Sequence, residues 1–185
     1  MFFFGNSECS IKFKPLSVEH AYLAILNNDL DSAAAVFEAI DSPRARWGRS
    51  FVDILKGYIE NYPTYFEIRN FLEIDLDFLI KNQKIDYVEM VLGSLEFLSK
   101  INQEVYKYTA RVMFENGYYK SSKEYMDKSK DLFYNDPELH FMLAKYYIKE
   151  GQYSDADFCL TECLNIIPEY APALKLKNDI AIYLD

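Results

Sequence analysis

The sequence predicts an all-α chain of antiparallel helical hairpins, stacked side by side and closed by a single helix at the C-terminus. Three observations predict it. Glycine and proline are scarce, six of each in 185 residues, too few for a turn-rich β sandwich or barrel. Helix start signals recur along the whole chain. The connections between helical segments are short, which suits antiparallel neighbours rather than long crossovers. Half of the residues are hydrophobic and 17% are aromatic, with 16 Tyr and 14 Phe, so there is ample apolar surface to bury between helices.

Each element has its own signal. Ser17 can cap a first helix running to about Asn27, with Ala21, Ala24 and Ile25 on its apolar face. After Asn27-Asn28-Asp29, a second helix from about Asp31 to Ile40 carries Ala33, Val36, Phe37 and Ile40. Ser42-Pro43 joins an N-cap to a proline in the first turn, and the third helix runs through Trp47, Phe51, Ile54 and Leu55 to about Glu60. Thr64 and Glu67 have capping-box spacing and start a fourth helix that reaches Lys81. The turn at Asn82-Gln83 leads to a fifth, over 85–101, and further helices are expected at 103–116, 118–134, 137–150, 153–167 and 170–184.

A shift of 34 residues places Ala110 on Ala144, Gly117 on Gly151 and Tyr119 on Tyr153. These are the constrained positions of a helical hairpin. A small residue lets two helices approach, a glycine ends the first helix with positive φ, and a tyrosine wedges between the pair. From Pro137 to Tyr170, the positions Leu143, Ala144, Tyr147, Gly151, Tyr153, Ala156, Leu160 and Pro168 follow one another in the order of a known signature. On these residues the chain resembles the tetratricopeptide repeat family. His140 stands where that family usually has Trp, and Cys163 where it usually has Ala. The preceding segment keeps Tyr106, Ala110, Gly117, Tyr119 and Met126, but Ser122 and Ser129 replace alanines and Tyr134 the proline. The stretch around 43–82 does not fit a clean 34-residue phase.

The resemblance implies a right-handed solenoid of stacked hairpins. It also implies an organisation along the chain. Residues 1–16 read as an N-terminal extension and 17–185 as one repeat domain, degenerate over 17–102, better matched over 103–170, with a cap helix over 171–185 that solvates the open end.

Nothing in the sequence composes a catalytic or metal constellation. The glycines never cluster into a phosphate-cradling loop, and His20 and His140 have no second His or Cys at ligand spacing. Cys9, Cys159 and Cys163 are an odd set with no CxxC pair, so small buried thiols are expected rather than disulfides. Acidic pairs such as Asp75/Asp77, Asp127/Asp131 and Asp155/Asp157 read as solvated helix faces, and Asp136-Pro137-Glu138 as a helix start. The expectation is a protein that is not an enzyme and takes no cofactor or metal. A net charge of −9 disfavours nucleic acid as a partner. No stretch has the roughly 18 consecutive apolar residues of a membrane span, and Met1-Phe2-Phe3-Phe4-Gly5 lacks the length and basic leader of a signal peptide, so a cytoplasmic location is expected.

In the family the first helix of each hairpin lines a concave surface. Carried over, this nominates Glu104, Lys107, Arg111 and Phe114, then Glu138, Phe141, Lys145, Ile148 and Lys149, with Lys175 extending the surface into the cap. Lys107 and Arg111, like Phe141 and Lys145, are four apart and share a helix face. The expectation is a locally basic strip that favours a protein or peptide with acidic character near the C-terminal repeats. Glu73 and Asp77 upstream have the opposite sign, and together with Met142 they do not meet the family's carboxylate-clamp pattern. The function expected is that of an adaptor or scaffold holding a peptide or helix in a groove. The alternatives are a secretion-type chaperone and a self-associating structural protein, the latter a homo-oligomer joined through Phe2, Phe3, Phe4 and Phe13. The set Arg44, Arg46 and Arg49 near Trp47 reads as solvated charges or as a second contact surface.

Overall fold

The computed structural model describes residues 16–184. Cys9 and the Phe-rich segment, with the homo-oligomer expected through it, lie outside the described residues. Ten α-helices follow in order: α1 (Val18–Leu26), α2 (Leu30–Glu38), α3 (Pro43–Lys56), α4 (Tyr65–Lys81), α5 (Ile85–Ser99), α6 (Val105–Glu115), α7 (Tyr119–Leu132), α8 (Pro137–Lys149), α9 (Tyr153–Ile166) and α10 (Ala171–Ile180). A short 3₁₀ turn, Ala181–Tyr183, follows α10. Among the described residues no helix is long and apolar enough to cross a membrane.

The caps are those the sequence signals. Ser42 Oγ accepts from the Ala45 amide at 3.1 Å. Thr64 and Glu67 exchange both bonds of a capping box. Asp136 Oδ1 accepts from the Glu138 and Leu139 amides at 2.9 and 3.2 Å. His20 has a local role: its Nδ1 accepts the Ser17 amide at 3.1 Å at the start of α1.

Four hairpins, α1–α2, α4–α5, α6–α7 and α8–α9, are formed by adjacent antiparallel helices. Their turns are built alike. A residue with positive φ stands just past the first helix: Asn28 (60°), Gln83 (56°), Gly117 (84°) and Gly151 (73°). Its amide and the next one bond back to the last turn, as in Gly117 N to Phe114 O at 3.1 Å and Tyr118 N to Met113 O at 2.8 Å. Gln83, Gly117 and Gly151 keep the 34-residue spacing, so the repeat phase extends back through α4–α5. The irregular stretch is α3. It is a single helix inserted between hairpins, packed on α2, α4 and α5. It stops at Lys56, short of the expected Glu60, because Gly57 takes φ 84° and reverses the chain.

The core runs along the stack in two clusters. One cluster surrounds α1–α6, with Trp47 stacked on Phe51 at 5.9 Å, and a second surrounds α6–α10. Tyr125 packs against both. Ala110, Leu143, Ala144, Ala156 and Leu160 are buried at the helix crossings, while Tyr119, Tyr147 and Tyr153 wedge in half-buried. Pro168 departs from the packing role expected of it. It is exposed in the turn between α9 and α10, where the missing amide hydrogen, not buried area, stops the helix. Cys159 and Cys163 are buried free thiols. His140 is 1% exposed, and its Nε2–H donates to the Tyr134 carbonyl at 2.7 Å.

Two readings of the N-terminal half are corrected. Asp75 is not on a solvated face: it is fully buried and accepts from Trp47 Nε1 at 2.5 Å and Tyr22 Oη at 2.9 Å. Arg44 is not free for a contact surface. Its guanidinium pairs with Asp75 and lies between the rings of Tyr22 and Phe71, at 4.9 and 4.8 Å. Trp47 is wholly buried. The physical reason is the insertion of α3, which carries one face of its N-terminal turn into the contact between α1 and α4. The cap also differs from a purely polar end. Leu174, Ile182 and Tyr183 are exposed, although Tyr183 stacks on Tyr153 at 4.3 Å.

Candidate protein-binding surface

The first helices of the last three hairpins stand side by side, α4 against α6 and α6 against α8. A lateral network of charges ties them. Arg111 on α6 reaches Glu73 of α4 at 2.8 Å and Glu138 of α8 at 2.5 Å. Lys107, one turn earlier, meets Glu104 at 2.9 Å, Asp136 at 2.7 Å and Glu138 at 3.5 Å. Tyr108 Oη donates to Glu104 Oε2 at 2.6 Å, and Asn116 Nδ2 to Asp77 Oδ1 at 2.9 Å.

This network overturns the basic strip. Lys107 is only 6% exposed, so it faces neighbouring helices rather than solvent. Burial works to lower its pKa, but the bonds to Asp136 and Glu104 outweigh that and hold the ammonium well above the usual lysine range. Burial raises the Glu73 carboxyl, with the Arg111 charge opposing it in part. Helix periodicity placed Lys107 and Arg111 on one face correctly. It could not show the carboxylates that α4 and α8 bring against them.

Further along the row the charge is free. Lys145 and Lys149 are exposed, and among the described residues neither has a carboxylate in ion-pair range. Lys145 Nζ lies 5.0 Å from the Phe114 ring and Lys149 Nζ 5.0 Å from the Tyr119 ring. Those two rings meet edge to face at 5.1 Å. The result is a patch in which two ammonium groups flank two aromatic faces, a combination able to take both apolar and anionic groups. Met142 and Glu115 complete a shallow depression with Arg111, Phe114 and Lys145.

The nominated residues therefore divide. Glu104, Lys107, Arg111 and Glu138 form the internal network; Phe114, Lys145 and Lys149 form the open patch. Phe141 turns toward the cap and meets Tyr170 edge to face at 5.5 Å. Ile148 is half-buried in the second core cluster and Lys175 is exposed on α10, with no polar or ring contact to the patch. Sequence reasoning placed Tyr119 in packing, as observed, but missed that its ring also stands beside Lys149. It also missed Glu73 as a partner of Arg111, which no spacing within one helix reveals.

Residues 137–170, the α8–α9 hairpin and its following turn, match the tetratricopeptide repeat family. No curated protein matches the chain. A repeat of this family points to a role in protein–protein interaction. Residues 137–170 are thus similar to a tetratricopeptide repeat, and they stand near the end of an all-α stack of helical hairpins.

Proposed function

We propose that this protein is a non-catalytic adaptor that holds a peptide or helical segment of another protein along the row of α4, α6 and α8. The observation that carries the reading is the patch of Lys145 and Lys149 beside Phe114 and Tyr119, in which neither cation has a carboxylate in ion-pair range among the described residues. A segment with an apolar residue and a carboxylate beside it matches those groups. The selectivity for acidic character rests on Lys145 and Lys149 alone, since Lys107 and Arg111 are neutralised within the stack.

The test is capture from a lysate of the source cell by wild type and by Lys145→Glu/Lys149→Glu. Both positions are exposed, so the variant should keep its circular dichroism and melting temperature. A partner held by wild type and released by the folded variant supports the reading. Equal capture by both proteins moves the contact to another surface.

A further inference from the structure

The geometry points to a second docking surface, between the C-terminal end of α3 and the outer side of α5, built for a helical segment with one bulky apolar side chain flanked by lysine or arginine. It lies away from the row of first helices. Its floor is the middle of α5, at Gly93 and Ser94, and its walls include Ile54, Tyr58, Met90 and Phe97. Tyr58 and Met90 are 45% and 46% exposed, large apolar surfaces to leave against water.

Gly93 is the informative residue. Glycine is the least favourable helix-interior residue after proline, so a glycine inside a helix needs a reason. Gly48 has one within the chain: a Cβ there would stand 2.4 Å from the Phe37 ring. Gly57, Gly117 and Gly151 have another, positive φ. Gly93 has neither. It is exposed, its φ is ordinary, and a Cβ there would meet nothing within 4 Å. The space that the missing side chain leaves open is the space over the floor of the groove, where an approaching side chain or backbone can reach α5 closely.

The wall formed by the loop after α3 is pre-formed. Buried Asp53 accepts three bonds on Oδ2, from the Glu60 amide at 3.0 Å, the Asn61 amide at 2.7 Å and Asn61 Nδ2 at 3.0 Å. That clasp holds Tyr58 and Ile59 in place, and Tyr62 leans on Phe97 at 5.6 Å. A surface already ordered loses little conformational freedom when it binds.

Charge selects the occupant. Glu89 lines the groove, Glu60 follows Ile59 in the loop, and Glu96 precedes Phe97 on α5. All three are exposed, and among the described residues none has an ion-pair partner. Lys56, just before Gly57, is engaged by Asp31 at 2.6 Å. An apolar groove with an acidic margin complements a basic, apolar-anchored helix. A second copy of this chain fits poorly, since each copy carries a net charge of −9 and the same acidic margin.

The experiment is a fluorescence-anisotropy titration with a labelled synthetic amphipathic helix of Lys and Leu bearing a single Trp, beside the same peptide with Glu in place of Lys. Wild type is compared with Gly93→Leu, Glu89→Lys/Glu96→Lys and Lys145→Glu/Lys149→Glu. Gly93→Leu fills the groove without altering charge, and its melting temperature should equal or exceed that of wild type. The expected result is salt-sensitive binding of the Lys peptide, with little of the Glu peptide. Gly93→Leu and the Glu89/Glu96 reversal should each weaken it at least tenfold, and the Lys145/Lys149 variant should leave it unchanged. The proposal is overturned if wild type shows no saturable binding of the Lys peptide, or if folded Gly93→Leu keeps wild-type affinity.

Discussion

Trp47 Nε1 stands 2.5 Å from Asp75 Oδ2, and neither side chain has any exposed surface. The indole thereby fixes α3 to α4 at a point where Tyr22 of α1 donates to the same oxygen. Arg44 takes the other oxygen, so three helices converge on one carboxylate. Burial raises the Asp75 carboxyl, and the Arg44 charge with the Trp47 and Tyr22 donors works against it. Burial, followed by the charge of Asp75, drives the Tyr22 phenol far above its usual range, so it stays a donor.

Removing the carboxylate alone should therefore be costly. Asp75→Ala leaves the Arg44 charge and two donors without their acceptor, and a loss of about 3–5 kcal/mol is expected in urea unfolding. Arg44→Met/Asp75→Leu removes both charges together and should recover part of that loss. A single variant within about 1 kcal/mol of wild type would show that the cluster contributes little to stability.

Two serines at alanine positions of the seventh helix should respond in opposite directions. Ser122 Oγ donates to the Ala110 carbonyl at 2.7 Å across the hairpin, whereas buried Ser129 Oγ has no partner. Ser122→Ala should cost about 1 kcal/mol, and Ser129→Ala should gain up to about 1 kcal/mol. Thermal melts of the two variants side by side check the sign.

Gln83 occupies the turn position that Gly117 and Gly151 hold in the following hairpins, with φ 56°. A side chain in that region crowds its own backbone, at roughly 1–2 kcal/mol. Gln83→Gly should stabilise by about 0.5–1 kcal/mol, the remainder being offset by the added freedom of the unfolded chain. Urea midpoints at constant slope measure it.

Acid should unfasten the lateral network. Burial works to raise the Glu104 carboxyl, but bonds from Tyr108 and Lys107, with the Lys107 charge, hold it below the usual range. Asp77 is likewise held low, burial being outweighed by Asn116 and Lys81. A carboxyl lowered on folding stabilises the fold above its unfolded pKa, near 4.3 for Glu, and the stabilisation is lost as pH falls through the folded value. Glu104→Gln should therefore lose about 1 kcal/mol at pH near 6, and that loss should shrink as the pH is lowered to about 3. Equal losses at both values would assign the effect to packing.

Helix positions were legible because their causes are local. Ser42-Pro43, Thr64 with Glu67, and Asp136-Pro137 act on amides a few residues away, and their helices begin where those residues stand. The repeat was legible where Gly117 and Gly151 mark the turn, and obscure at Gln83, which does the same work without the residue that announces it.

The amino-acid sequence thus determined by itself the all-α class, the helices and their caps, and the repeat over 137–170, all set by interactions within one helix or one hairpin. Tertiary structure alone decided which charges stay free. Lys107 and Lys145 look alike as exposed-face lysines, but Asp136 and Glu138 arrive from α8 to bury the first, while the second stands open above Phe114. It also decided that Asp75 lies in the core and Asp77 near the surface. The physical reason is the same in each case: a side chain's charge state and exposure depend on partners distant in sequence, brought to it only when the hairpins stack.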